Sequence, residues 1–214
     1  MIKSMFKKLG LVKNPKPRSL DELYKIDDLD VALDMGTLEH LQRHDRAFIL
    51  YGCRCVKECV QYYERAQRYP DIALPLRQHL QTMEDYAFGR ATEEQLLEAR
   101  ERTSGHLGFN DGQAAYCAVR AVGDVAFGWI SVGSAITNAA CSTAHAVLED
   151  VRKTVGDQAD LDKLSVWDGK PVIANSIWKA AYDKAMVFPK REFGCLCRLE
   201  GEYGEVDRLP PRAK

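Results

Sequence analysis

The sequence predicts an all-α protein, a single-domain helical bundle whose central helices are buried and rich in alanine and glycine. Three observations carry that prediction. Residues 112–152 read GQAAYCAVRAVGDVAFGWISVGSAITNAACSTAHAVLEDVR, with no Asp, Glu, Lys or Arg between Val125 and Leu148. A helix that is apolar or small nearly all round is buried by its neighbours instead of lying on a surface. Between Asp45 and Tyr69, Phe48, Gly52, Cys55, Cys59, Tyr62 and Ala66 recur at three- and four-residue steps, the period of an amphipathic helix. Ser19 with Glu22, and Thr92 with Gln95, have the three-residue spacing of capping boxes, in which each side chain satisfies a backbone N–H near the other.

The composition fits one domain. A 214-residue chain with 46% hydrophobic residues can fill a sizeable core, and 29% charged residues is an ordinary soluble surface. Thirty basic against 31 acidic residues leave a net charge of −1, which argues against bulk attraction to nucleic acid or to an anionic membrane. Seven cysteines, an odd number outside any small loop-rich framework, predict reduced thiols and a cytoplasmic location.

In chain order, residues 1–18 are expected to form a mobile basic arm, MIKSMFKKLGLVKNPKPR, with no apolar run of signal-peptide length. A helical domain is expected over 19–187. Ser19 caps a short helix, SLDELYKI, and Thr37 starts a second, TLEHLQRHD. The long helix from Asp45 follows and is expected to end at Pro70. Leu76, Leu80, Met83 and Ala87 mark another helix from Ile72, with Pro75 tolerable in its first turn. Thr92 opens TEEQLLEARERT. Residues 105–112 read as a loop, with Asn110 or Asp111 capping the central stretch.

That stretch is long enough to cross a membrane, but Ser131, Ser134, Thr137, Asn138, Ser142, Thr143 and His145 lie inside it. Two antiparallel core helices, broken near residues 131–134, are the better reading, because glycine is poor in a helix interior and serine caps a new one. Further helices are expected at Gln158–Leu164 and Asn175–Val187. The tail, 188–214, is expected to pack on or near the domain, with Phe193, Cys195, Cys197 and Leu199 as one face of a short β strand.

Cys53, Cys55 and Cys59, with Cys195 and Cys197, resemble a thiolate metal set at first sight. At 100° per residue, Cys55 and Cys59 lie about 40° apart on a helix, but Cys53 points about 160° from Cys55. The three cannot converge on one tetrahedral ion, and no C-x2-C knuckle is present. Structural thiols and no metal are therefore expected. His40 and His44 have the i, i+4 spacing of a helical metal site, but Arg43 lies between them and the metalloprotease glutamate is missing; two surface histidines are expected. Arg120 and Asp124, one turn apart, are expected to pair with each other or to join a polar network. His145 is expected to be a hydrogen-bonded core histidine. No phosphate loop, nucleophile elbow or paired-carboxylate motif occurs, so no cofactor and no catalytic residue is assigned.

Two segments together carry a resemblance. LDMGTLEHLQRHDRAFILYGCRCVKECVQYYERAQRYP leads on to AAYCAVRAVGDVAFGWI and ITNAACSTAHAVLEDV. A helix bearing Cys55 and Cys59 followed by Ala-Ala-aromatic helices is similar to the all-helical immunity proteins of bacterial polymorphic toxin systems, over Leu33 to Arg152. The resemblance implies binding of a cognate protein toxin and its neutralisation by occlusion, without catalysis. The alternative from the residues themselves is a helical enzyme or small-ligand binder using a pocket near Arg120, Asp124 and His145.

Overall fold

The computed structural model describes residues 19–25, 39–65, 70–104, 112–155 and 172–210. They form an all-α fold, with no strand among the described residues. The helices are α1 (Leu20–Tyr24), α2 (Asp45–Arg65), α3 (Pro70–Ala87), α4 (Glu93–Ser104), α5 (Gly112–Val125), α6 (Val132–Val155), α7 (Val172–Ala185), α8 (Val187–Cys197) and α9 (Glu202–Asp207). Short 3-10 helices, Glu39–His44 and Gly128–Ile130, precede α2 and α6. The basic arm, the loop at 105–111 and the helix expected at Gln158–Leu164 lie outside the described residues.

The capping box at α4 forms in full, and at α1 the N-cap half is present. The Glu22 N–H donates to Ser19 Oγ at 3.2 Å. At α4 the exchange is reciprocal: the Gln95 N–H donates to Thr92 Oγ1 at 3.2 Å, and the Thr92 N–H donates to Gln95 Oε1 at 2.8 Å. The α3 helix starts at Pro70, two residues before the expected Ile72, which puts Pro75 beyond the first turn. Pro70 takes the first helical position, where a missing N–H costs nothing.

The central stretch folds as two antiparallel helices, with its break at Gly128–Ile130. At one end of the pair the Ser142 hydroxyl donates to the Ala114 carbonyl at 2.6 Å. Ala114, Ala115, Ala118, Ala121, Val125, Ala135, Ile136, Ala139 and Ala140 are buried in the main core. They share it with α2, which packs against α3, α5, α6, α8 and α9. Consecutive residues Ala47 to Cys53 on α2 are all buried, because neighbours cover this helix on every side. Small residues permit that crowding: a Cβ on Gly52 would lie 3.3 Å from a Val125 methyl and 3.6 Å from one of Val132. Gly128 has φ +52°, and a Cβ there would collide with the Asp45 carboxylate.

The C-terminal strand expectation is corrected. Phe193, Cys195 and Cys197 lie on helix α8, and Leu199 in the turn after it. Burial follows Pro189, Phe193, Leu196 and Cys197, a three-to-four-residue period, while Cys195 is only half-buried. The apparent alternation counted Cys195 as inward and missed Leu196, which is fully buried. Phe193, Leu196, Tyr203 and Val206 belong to the same core as α2. The Tyr51 hydroxyl donates to the Pro189 carbonyl at 2.9 Å, and the Tyr203 hydroxyl to Glu192 Oε2 at 2.9 Å. Arg54 pairs with Glu192 and Glu202 and lies over the Tyr203 ring, 4.7 Å from its centroid. Among the described residues, no helix is long and apolar enough to cross a membrane.

Candidate functional site

The groups singled out by sequence are held in separate places. Cys53 faces α3, where its thiol donates to the Leu80 carbonyl at 3.7 Å. Cys55 and Cys59 lie together on another side of α2, facing α6 and α8. The predicted divergence of Cys53 from Cys55 is therefore present. Among the described residues, no three His, Cys, Asp or Glu side chains gather as a metal site. Burial pushes the Cys53 and Cys55 thiols well up, and raises Cys59 to about 11 against opposing hydrogen bonds from Ser142 and Thr143. Burial also raises Cys197 to about 12, and it lifts Cys195, helped by hydrogen bonding to Glu200. These thiols are protonated at neutral pH, unlike reactive cysteines, whose thiolate is stabilised.

The expectation of two surface histidines is corrected for His44, which is buried with 7% of its surface exposed. Its Nδ1 lies 2.8 Å from Asp207 Oδ1 on α9, and Arg43 Nε donates to its Nε2 at 2.9 Å. A nitrogen that accepts from Arg43 leaves the neutral ring's proton on Nδ1, directed at Asp207. The His40 side chain lies outside what the structure describes. His79, not singled out by the sequence, is buried between α3 and α4. Its Nδ1 is 2.6 Å from Thr103 Oγ1, and that hydroxyl donates to the Ala99 carbonyl at 2.7 Å.

Asp124 joins a polar network and not an ion pair with Arg120: it accepts from Ser134 Oγ at 2.6 Å and from Asn138 Nδ2 at 3.1 Å. Arg120 is exposed. His145 stands edge-on to Trp178 of α7, with ring centroids 5.8 Å apart. It follows Asn138 by seven residues, about 10 Å along the helix axis. Asp124 and His145 therefore occupy different ends of the α5–α6 pair, and the three-residue pocket is not assembled.

The structure instead opens a groove that the sequence did not reveal. Helices α2 and α7 both pack on α6, and between them lies a cleft of about 580 Å³. Ile136, Ala139, Ala140, Thr143 and Val147 of α6 form its floor. Cys55, Glu58, Cys59 and Tyr62 supply one wall and Ile177, Ala180, Ala181, Lys184 and Ala185 the other, with Phe188 and Pro189 of α8 at one end. Each set has helical spacing, so each wall is one face of one helix. The Tyr62 hydroxyl donates to Asp150 Oδ2 at 3.0 Å, which fixes that ring at the far end. The signal in the sequence was the pairing of Ala139-Ala140 with Ala180-Ala181, but it becomes a groove only once α7 is known to pack on α6. A smaller, more polar cavity of about 270 Å³ lies between α2 and α3, beside the Lys57–Glu84 ion pair.

Comparison with protein families, with curated proteins and with solved structures found no match.

Proposed function

We propose that the chain is a non-catalytic binding protein that neutralises a cognate bacterial toxin by stoichiometric occlusion, in the manner of an immunity protein. The observation that supports this reading is the outward side of the α5–α6 pair. It carries no formal charge between Val125 and Leu148, yet it exposes Ile130, Ser134 and Thr137; the Asp124 carboxylate accepts from Ser134 at its edge, and Tyr116 and Arg120 of α5 are exposed. Protein interfaces are depleted of Lys, Glu and Asp at their centres and enriched in Tyr and Arg. An ordinary solvated helix face carries charges throughout. The resemblance over Leu33 to Arg152 points to the same class. The groups suited to acid–base or thiol chemistry also have structural employment: His44 with Asp207, Asp124 with Ser134 and Asn138, and Cys59 beneath α6.

A second reading, a small-ligand-binding protein, is favoured by the groove between α2 and α7 and not by Arg120, Asp124 and His145. Co-expression with a toxin encoded beside the gene, capture of the pair and titration of growth rescue test the first reading. Rescue should saturate at a fixed ratio of protein to toxin, and Tyr116→Ala with Arg120→Glu should weaken the complex. No complex and no rescue defeats it. Rescue at far below stoichiometric amounts would assign an enzyme that reverses the damage.

A further inference from the structure

The toxin-binding reading makes no use of the groove between α2 and α7, and the groove has the makings of a site in its own right. It exists because Ala139, Ala140, Ala180 and Ala181 are too small to fill the space that α6 and α7 leave beside α2. Its lining is apolar apart from two thiols, the Tyr62 hydroxyl, Thr143 and two charged residues. Burial keeps both thiols protonated, so the floor is electrically neutral at physiological pH. The charges are Glu58 on the α2 wall and Lys184 on the α7 wall. Both are exposed, so they stand at the mouth, and neither has an ion-pair or hydrogen-bond partner among the described residues.

Dimensions decide between occupants. From Ile136 to Val147 the floor runs about 16 Å, at 1.5 Å per residue. Spread over that length, the volume of about 580 Å³, with about 1.4 Å added at each wall for the radius of a water molecule, makes a cleft roughly 9 Å across, still under the 10–12 Å of a helix with its side chains. An alkyl chain fits that width, and because each carbon–carbon bond of about 1.5 Å advances an extended chain by about 1.25 Å, twelve carbons cover about 14 Å of the floor.

We propose that the groove between α2 and α7 binds a single-chain aliphatic amphiphile, with its tail along α6 and its polar head between Glu58 and Lys184. Two opposite charges on facing walls leave little net preference for the sign of the head. The tail supplies the affinity and the mouth merely orients the molecule. This site is independent of the α5–α6 outer surface and does not rest on the toxin-binding reading.

The experiment is calorimetric titration of the purified protein with dodecanoate and with dodecylamine, below their micellar concentrations. Each should bind saturably at one per chain, with affinities within about tenfold of each other, since exposed charges contribute little. Octanoate should bind at least about tenfold more weakly than dodecanoate, four methylenes having left apolar contact. Lys184→Glu should shift the affinity ratio several-fold toward dodecylamine, and Glu58→Lys several-fold toward dodecanoate. Both side chains are exposed, so these variants fold. Ala181→Phe should fill the groove and abolish binding of both probes; Ala180→Phe, at an exposed lining position, repeats the test, with thermal unfolding checked for each. Absence of saturable binding to the wild-type chain overturns the proposal. So does binding that survives both phenylalanine variants, or a head-group ratio unmoved by both charge reversals.

Discussion

At the scale of the residue, buried thiols set the protein's behaviour in base. An unfolded chain releases the Cys59 proton near 9, whereas the folded chain keeps it up to about 11. Below pH 9 both states hold the proton and the site contributes its full stability. Between pH 9 and 11 only the unfolded state lets it go, so stability falls as pH rises, by about 2–3 kcal/mol for this one group. Denaturant titrations across that range should show the loss, and Cys59→Ala should lessen it by about that amount while the raised Cys53, Cys55 and Cys197 thiols keep the remainder; an unchanged slope in the variant would assign the loss to those other groups. Gly128 is a second sensitive residue. Its left-handed φ and its closeness to the Asp45 carboxylate leave no room for a Cβ, so Gly128→Ala should cost at least about 2 kcal/mol of unfolding free energy. The divergence of Cys53 from Cys55 was legible in helical angles alone. It could not announce the burial of His44, because the partner that makes burial tolerable, Asp207, lies 163 positions away.

At the scale of the element, local signals were legible and non-local ones were not. Ser19 and Thr92 marked their helices because capping is settled within four residues. The break in the central stretch was expected near residues 131–134 and lies a few residues earlier, at Gly128–Ile130, with Gly133 and Ser134 already inside α6. Helix α8 was misread as a strand because alternation over a few residues resembles a helical period until the burial of Leu196 is known. The groove was invisible because it belongs to four helices brought together by tertiary packing. Helix α9 makes the cleanest test of such long-range ties. Asp207→Ala leaves the buried Nδ1–H of His44 without an acceptor, and should cost about 1–3 kcal/mol. Hydrogen exchange should quicken first in α9 and the start of α2; uniform loss of protection would place the effect elsewhere. Val125→Asp puts an unpaired charge where exposure is 0%, and should destabilise by several kcal/mol.

At the scale of the whole molecule, α2 is the common neighbour of α3, α5, α6, α8 and α9, so none of those five helices can leave the bundle without disturbing it. Unfolding should therefore be a single transition, with far-ultraviolet dichroism and tryptophan fluorescence tracing coincident curves. Separated midpoints would show that the α6–α7 side melts on its own. The same hub has a consequence for the order of synthesis. Tyr51 and Arg54 on α2 find their partners Pro189 and Glu192 138 residues further along the chain. At translation rates of 5–20 residues per second, α2 leaves the ribosome about 7 to 30 s before those partners exist. During that interval the side of α2 that will bury Tyr51 and Cys55 is bare, and its thiol is far more open to oxidants than in the finished protein, where only 4% of Cys55 is exposed. The nascent chain, and not the folded one, is the form most vulnerable to chemical damage and the one with most use for a chaperone.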